Sequence, residues 1–483
     1  MIDKTEKQVN AFLKRYLSEL EAGNAAIFAG AGLSTPAGFV NWRELLREIA
    51  DDLGLLIDLE NDLVSVAQFH LNAKKSRFRL NQAIVDRLSV DTPPTDNHHI
   101  LARLPIGTWW TTNYDRLIET ALKQAGKIVD VKSAHDQLAN TKSRRDTIVY
   151  KMHGDVERPN EAVVTRDDYE NYARDRAPFI SALAGDLVNK TFLFLGFSFT
   201  DPNLEHVLAR VRLSLRDNTR EHFAFFKRRS REDGESNESY AHGLARQELV
   251  VQDLARYGIN VILVDDYKAI DEILAELERR YRRKSVFVSA SADQFEPWGQ
   301  SAVEQFMRQL GNALVSRGLR IVTGLGLGVG NALFTGAIER VLAQGTGHIE
   351  DSLIIRPFPQ HIPDPAERRR IWAAYRRRIL AEAGVAIFLF GNKLAGGKVV
   401  PADGMEREWE IARELGLVVI PLGATGSTAH DLAGRALADP DTLLAPLNSD
   451  DRALVAKLNE DTADLSLLVE PVADLVHRLR QGL

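Results

Sequence analysis

An asparagine and a histidine each close an apolar run, in Trp109-Trp-Thr-Thr112-Asn113-Tyr-Asp115 and Val149-Tyr-Lys-Met-His153-Gly-Asp155. At a strand end, an amide such as that of Asn113 can hold a sugar hydroxyl or a water. His153, titrating near neutrality, can take a proton from either. Asp115 reads as the N-cap of a following helix and thus as the residue that fixes the Asn113 loop. Two further apolar runs end in small residues: Ala26-Ile-Phe-Ala-Gly30-Ala31-Gly32-Leu-Ser34 and Phe192-Leu-Phe-Leu-Gly196-Phe-Ser198-Phe-Thr-Asp201. Such turns let backbone N–H groups approach a pyrophosphate, where a helix N-terminus favours negative charge. Each run also has a plainer reading: a packing glycine, a turn-forming asparagine, a structural histidine. The weight lies in their occurring together and in order.

The second half carries recognition chemistry. Thr323-Gly324-Leu-Gly326-Leu-Gly328-Val-Gly330 follows one apolar run, and Ser289-Ala290-Ser-Ala292 follows another. A glycine turn opening a helix suits a nucleotide-like ligand, although one such turn is a weak signal. Arg376 and Lys393, the latter in a Gly-Asn-Lys loop, supply cations beyond later elements. A guanidinium grips phosphate with two parallel hydrogen bonds, which an ammonium cannot do. The neighbouring arginines between Arg368 and Arg378 read as a solvated helix face, with Trp372 and Tyr375 turned inward.

These residues need a frame. Strand-like runs at 25–28, 107–111, 148–152, 191–195, 222–226 and 259–264 alternate with helical patterns such as 42–53 and 115–124. After the charged stretch Glu278 to Lys284 the alternation restarts with strands at 285–289, 319–323, 353–358, 385–390 and 418–422. The expectation is α/β: two Rossmann-like domains with parallel sheets, spanning 1–283 and 284–483. Arg228–Ser239 reads as a solvated loop.

Composition narrows the chemistry. Among 483 residues, 45% hydrophobic and 27% charged, there is no cysteine. That excludes disulfides, thiolate zinc sites, iron–sulfur clusters and a cysteine nucleophile. No metal is expected. A net charge of −6 argues against nucleic acid as a partner, and the lack of an apolar run of about 18 residues argues against a membrane span. A cytoplasmic protein is expected.

The ordered set GAGLS, TTNYD, HGD and GFS resembles the sirtuin family of NAD-consuming enzymes. By that resemblance Gly30, Ala31, Gly32 and Ser34 line the NAD phosphates and ribose, and Gly196 and Ser198 the far side of the dinucleotide. Thr112 and Asp115 join the NAD-binding set, and Asn113 and His153 fall on the catalytic pair. Protein-deacylating sirtuins carry a four-cysteine zinc module, so its loss here points away from acyl-lysine and towards cleavage of the nicotinamide–ribose bond by water. The second half resembles the SLOG domains, Rossmann-like sensors related to phosphoribohydrolases with a PGGxGTxxE motif. Only Gly404-Met-Glu-Arg-Glu408 matches that motif's second part, so binding rather than catalysis is expected there. A zinc-less sirtuin-like domain fused to a SLOG domain is similar to the NAD-degrading effectors of Thoeris anti-phage defence. That resemblance implies NAD+ as substrate, and as activator a cyclic ADP-ribose isomer made by a TIR-domain protein. It also implies a homotetramer and the sensing residues Arg376, Lys393 and Glu408, with Glu408 accepting ribose hydroxyls; Ser289, Ala290, Gly324, Gly326 and Gly328, from the strand end and glycine turn above, complete the expected activator site. The alternatives are a non-catalytic nucleotide sensor or scaffold and, as the weakest, a protein deacylase.

Overall fold

A computed structural model describes residues 4–199, 201–215, 219–345, 348–359 and 361–482. The chain forms two compact units, Met1–Glu278 and Arg279–Leu483. Their division falls inside the helix Lys268–Arg282, a few residues before the 283/284 boundary drawn from the charged stretch, because that stretch lies largely within the helix. Among the described residues no helix is long and apolar enough to cross a membrane.

The first unit is built on β1 (Ala25–Ala29), β2 (Thr108–Thr111), β3 (Val129–Lys132), β4 (Thr147–Lys151), β5 (Thr191–Leu195), β6 (His222–Lys227) and β7 (Ile259–Val264). They form one sheet, ordered β3-β4-β2-β1-β5-β6-β7, with every pairing parallel. Parallel sheets are covered on both faces, so β1 and β5 are buried at every residue and show apolar runs rather than alternation. The chain builds outward from β1 through β2, then returns to the other side of β1 with β5. This makes the carboxyl ends of β1 and β5 the switch point where such sheets bind ligands. Ala29 pairs with Thr111 and with Leu195, and Thr111 with Lys151. All the loops that carry the sequence motifs therefore leave the sheet at one level.

Some elements differ from expectation. β3 was not foreseen: Val-Asp-Val-Lys is short, and Asp130 and Lys132 neutralise each other across 2.9 Å. The expected helix 42–53 is broken at Leu46 into Trp42–Leu45 and Arg47–Asp51. The loop starting at Arg228 gives way at Asn237 to a helix capped by Ser236, which accepts from Ser239 N.

The second unit holds β8 (Ser285–Ser291), β9 (Arg320–Thr323), β10 (Leu353–Ile355), β11 (Val385–Phe390) and β14 (Val418–Leu422), ordered β10-β9-β8-β11-β14 and parallel. The Gly-Asn-Lys loop is not a loop. It enters a hairpin of β12 (Asn392–Ala395) and β13 (Lys398–Pro401), turned by Gly396 and Gly397, both at positive φ.

Candidate active site and ligand site

The turns after β1 and β5 are packed backbone to backbone. Gly32 N donates to Gly196 O at 2.9 Å, and Gly30 N to Leu195 O. A Cβ on Gly196, at φ +62°, would stand 2.1 Å from Leu33 N, so only glycine fits there. These glycines are thus required by turn-to-turn contact, whatever they offer a phosphate. Gly32, Gly196 and Ser198 also line a cavity of 1090 Å³ at the ends of β1, β5 and β6. Its walls include Thr92–Asn97, Lys227, Gln247 and Tyr267, which the sequence reading missed because they lie outside any motif. Ala31 opens the short helix Ala31–Ser34, and Thr112 N reaches back to Ala29 O.

Asn113 is buried, 7% exposed, and its amide is oriented from the β1 turn. Nδ2 donates to Gly30 O at 3.1 Å and to Ser34 Oγ at 3.0 Å. A carbonyl can only accept, which fixes which end of the amide is nitrogen. Among the described residues Oδ1 has no hydrogen-bond partner, so the chemistry left to Asn113 is to accept from a hydroxyl or a water. Asp115 is not the helix N-cap: the helix Leu117–Gln124 is entered through Arg116, and Asp115 Oδ1 instead accepts from Leu117 N at 3.0 Å in an Asx-type turn.

His153 is 1% exposed. Its Nε2 lies 3.2 Å from Asp201 Oδ2, outside hydrogen-bonding geometry, and neither ring nitrogen has a hydrogen-bond partner. Burial pushes the imidazole pKa down, Asp201 pulls it up and Arg176 pushes it down, with burial winning. The ring is therefore neutral at physiological pH, the form that accepts a proton. Neither Asn113 nor His153 is in the lining of the 1090 Å³ cavity, whereas Gly32, Leu33, Thr35, Pro36 and Ala37 are.

Lys151, at the end of β4, ties the two loops together. Wholly buried, its ammonium sits 2.6 Å from Asp155 Oδ2 and 3.0 Å from Glu119 Oε1, and donates to Tyr114 O at 3.1 Å. Burial lowers its pKa, but the two carboxylates outweigh burial and hold it above the ordinary lysine value. The sequence signal was a lysine at the end of the otherwise apolar Thr-Ile-Val-Tyr-Lys strand.

In the second unit Gly326 packs on the end of β8, where a Cβ would stand 1.5 Å from Ala290 O; Gly324 faces the Phe358 ring and Gly328 faces Ala292 O. Ser289 Oγ donates to Glu408 Oε2 at 2.6 Å, and Arg376 Nε to Glu408 Oε1 at 3.3 Å. Glu408, expected to meet ribose hydroxyls, thus has both oxygens engaged by protein. The Arg376 guanidinium lies over Phe358, 4.7 Å from the ring centroid, and over Trp372 at 5.6 Å. Its two terminal nitrogens make no hydrogen bond among the described residues. Lys393 pairs with Asp403 beside Gly404, whose Cα side faces Arg376, so the expected cations share one locality. Arg368, Arg369, Arg370, Arg377 and Arg378 are exposed.

A parallel sheet with a glycine turn, an amide and a neutral histidine at one edge, joined to a second Rossmann-like unit, defines a sirtuin-like protein with a SLOG module. Two family models match accordingly: the SIR2-like domain over residues 107–251 and the Sir2- and TIR-associating SLOG family over 269–479. The chain is 45% identical to the NAD(+) hydrolase ThsA of Acinetobacter baumannii (strain 532279), across 98% of this chain and 99% of that protein. It is 44% identical to the NAD(+) hydrolase ThsA of Bacillus cereus (strain MSX-D12), across 98% of both. Defense-associated sirtuin 2 of Bacillus subtilis is 29% identical over 45% of this chain and 22% of its own length. The chain belongs to the ThsA family of NAD(+) hydrolases.

Proposed function

We propose that the chain hydrolyses NAD+ to nicotinamide and ADP-ribose, and that a cyclic ADP-ribose isomer bound to the second unit switches this on in anti-phage defence. The observation that carries the reading is the meeting at one sheet edge of Asn113, His153 and the cavity-lining turns of β1 and β5. Cleavage of the nicotinamide–ribose bond passes through an oxocarbenium-like sugar, as in glycoside hydrolysis. Asn113 Oδ1 holds a ribose hydroxyl or the attacking water, and His153 takes the proton released. The domain assignment follows: residues 1–283 hydrolyse NAD+ and 284–483 sense the signal.

Support for the switch comes from Arg376, whose Nε is engaged by Glu408 while its terminal nitrogens make no hydrogen bond among the described residues, with Lys393 nearby. The C-terminal family's description, which links it to TIR proteins, fits a signal made by a TIR-domain protein, and the family resemblance supports a homotetramer. Activation has a concrete task, since Asn113 and His153 are buried and do not line the cavity: bring the nicotinamide end of the substrate within reach of both. The test is nicotinamide release from NAD+ by the purified full chain, with and without a panel of cyclic ADP-ribose isomers.

A further inference from the structure

We propose that Asp201 is the positioning residue for His153: its carboxylate orients the imidazole and balances the charge the ring acquires on taking a proton. This rests on the reading of His153 as the base in NAD+ cleavage. A buried ring nitrogen without a partner costs free energy, so two in one imidazole call for a functional explanation. The titratable and charged groups that face the ring are Asp201, Arg176, Tyr169 and Tyr172. Of these, Asp201 alone is both anionic and in reach, with Oδ2 3.2 Å from Nε2.

The carboxylate is itself held. Asp201 Oδ1 accepts from Asn203 N and Leu204 N, both at 3.0 Å, at the start of the helix Pro202–Leu215, where the helix end favours a negative charge. Tyr169 Oη–H reaches Oδ2 at 3.5 Å. Oδ2 is thereby aimed at the ring from a fixed base. A small rotation of the imidazole puts Nε2–H on line with Oδ2. That fixes the tautomer and leaves Nδ1 as the acceptor of the proton from a ribose hydroxyl or water. The proton ends on Nδ1. Gly196, Phe197 and Ser198, which line the 1090 Å³ cavity, stand a few residues before Asp201 in the chain, so neighbouring residues serve the ligand and the base.

Capping the helix is the competing role, and Asp201→Asn separates the two because asparagine caps as well but carries no charge. Expected in the full chain is a fall in kcat of about 10- to 100-fold, with KM for NAD+ and the melting temperature nearly unchanged. The acid limb of the kcat–pH profile should also move to lower pH, because losing a facing anion favours the neutral ring. Asp201→Ser, which keeps a capping oxygen, should behave alike. The His153 titration followed by NMR, assigned by its loss in His153→Gln, reads the pair without turnover and should shift downward in Asp201→Asn. If the parent releases no nicotinamide, the NAD+ reading fails, and the NMR titration still decides the pairing. An unchanged kcat and acid limb in a folded, active Asp201→Asn protein would overturn the proposal. So would an unchanged His153 titration, or unfolding of both variants, which would assign Asp201 to the helix cap alone.

Discussion

The two units use the same device, a glycine turn pressed backbone to backbone against the next strand end, and then set different chemistry beside it. At the first, the cation is kept one step back: Lys151 is sealed beneath the loops with Glu119 and Asp155, and the edge presents an amide and a neutral imidazole faced by the Asp201 carboxylate. At the second, charge is at the front, in Arg376 over two aromatic rings with Glu408 behind it and Lys393 beside Asp403. Neutral groups suit moving a proton at a sugar; a half-satisfied guanidinium suits holding a phosphate. On the proposed reading, one edge reacts and the other recognises.

The sharpest break in this contrast is at the reacting edge. Asn113→Ala and His153→Ala should each lower NAD+ cleavage by about 10²–10⁴-fold with the fold intact, by nicotinamide assay beside circular dichroism. Asp should not rescue the Asn113 change, because its second carboxylate oxygen would replace the Nδ2 donor that faces the Gly30 carbonyl. Next comes the sealed layer: Lys151→Met leaves Glu119 and Asp155 without their counter-charge and should destabilise the first unit by about 3–5 kcal/mol in urea unfolding. Burial already lifts the Glu119 carboxyl above the ordinary carboxylate range. With Lys151 gone its folded pKa rises further above the unfolded value. Stability is then retained at low pH and lost as pH rises through that range, so the deficit should be larger at pH 8 than at pH 5. A deficit independent of pH would show that the cluster is not a charge device.

At the recognition edge, Arg376→Ala should weaken calorimetric binding of the activating cyclic nucleotide by about 10- to 150-fold, the cost of a charge-assisted contact, while leaving the reacting groups intact. Parent-like binding would move the sensing site elsewhere. The smallest effect on the fold is expected at Lys393, whose pair with Asp403 is partly exposed: Lys393→Ala should change unfolding free energy by less than about 1 kcal/mol and show itself only in activator binding. Equal loss of stability in Arg376→Ala and Lys393→Ala would erase the distinction between a buried and a surface pair.

The sheets were legible because buried parallel strands leave continuous apolar runs, and the strand ends were legible because chemistry follows such runs at Asn113 and His153. β3 and the β12–β13 hairpin were not, since short, charged or exposed strands carry no such signal. Roles were less legible than positions. That Gly196 and Gly326 are demanded by contact with another turn, and that Glu408 is spoken for by Ser289 and Arg376, depends on neighbours far away in sequence. Lys151 and Asp201 stood inside quoted motifs without a function, because what each faces lies on a different element.

The central claim, that one edge reacts and the other decides when, is tested most directly by following nicotinamide release by the full chain while titrating cyclic ADP-ribose isomers, for the parent, His153→Ala and Arg376→Ala. The parent should release nicotinamide, faster with one isomer than without. His153→Ala should bind that isomer by calorimetry yet stay inactive, and Arg376→Ala should keep only the unstimulated rate. Activator binding lost in His153→Ala with stimulation intact in Arg376→Ala would contradict the division of labour, and a parent that releases no nicotinamide under any isomer would contradict the activity itself.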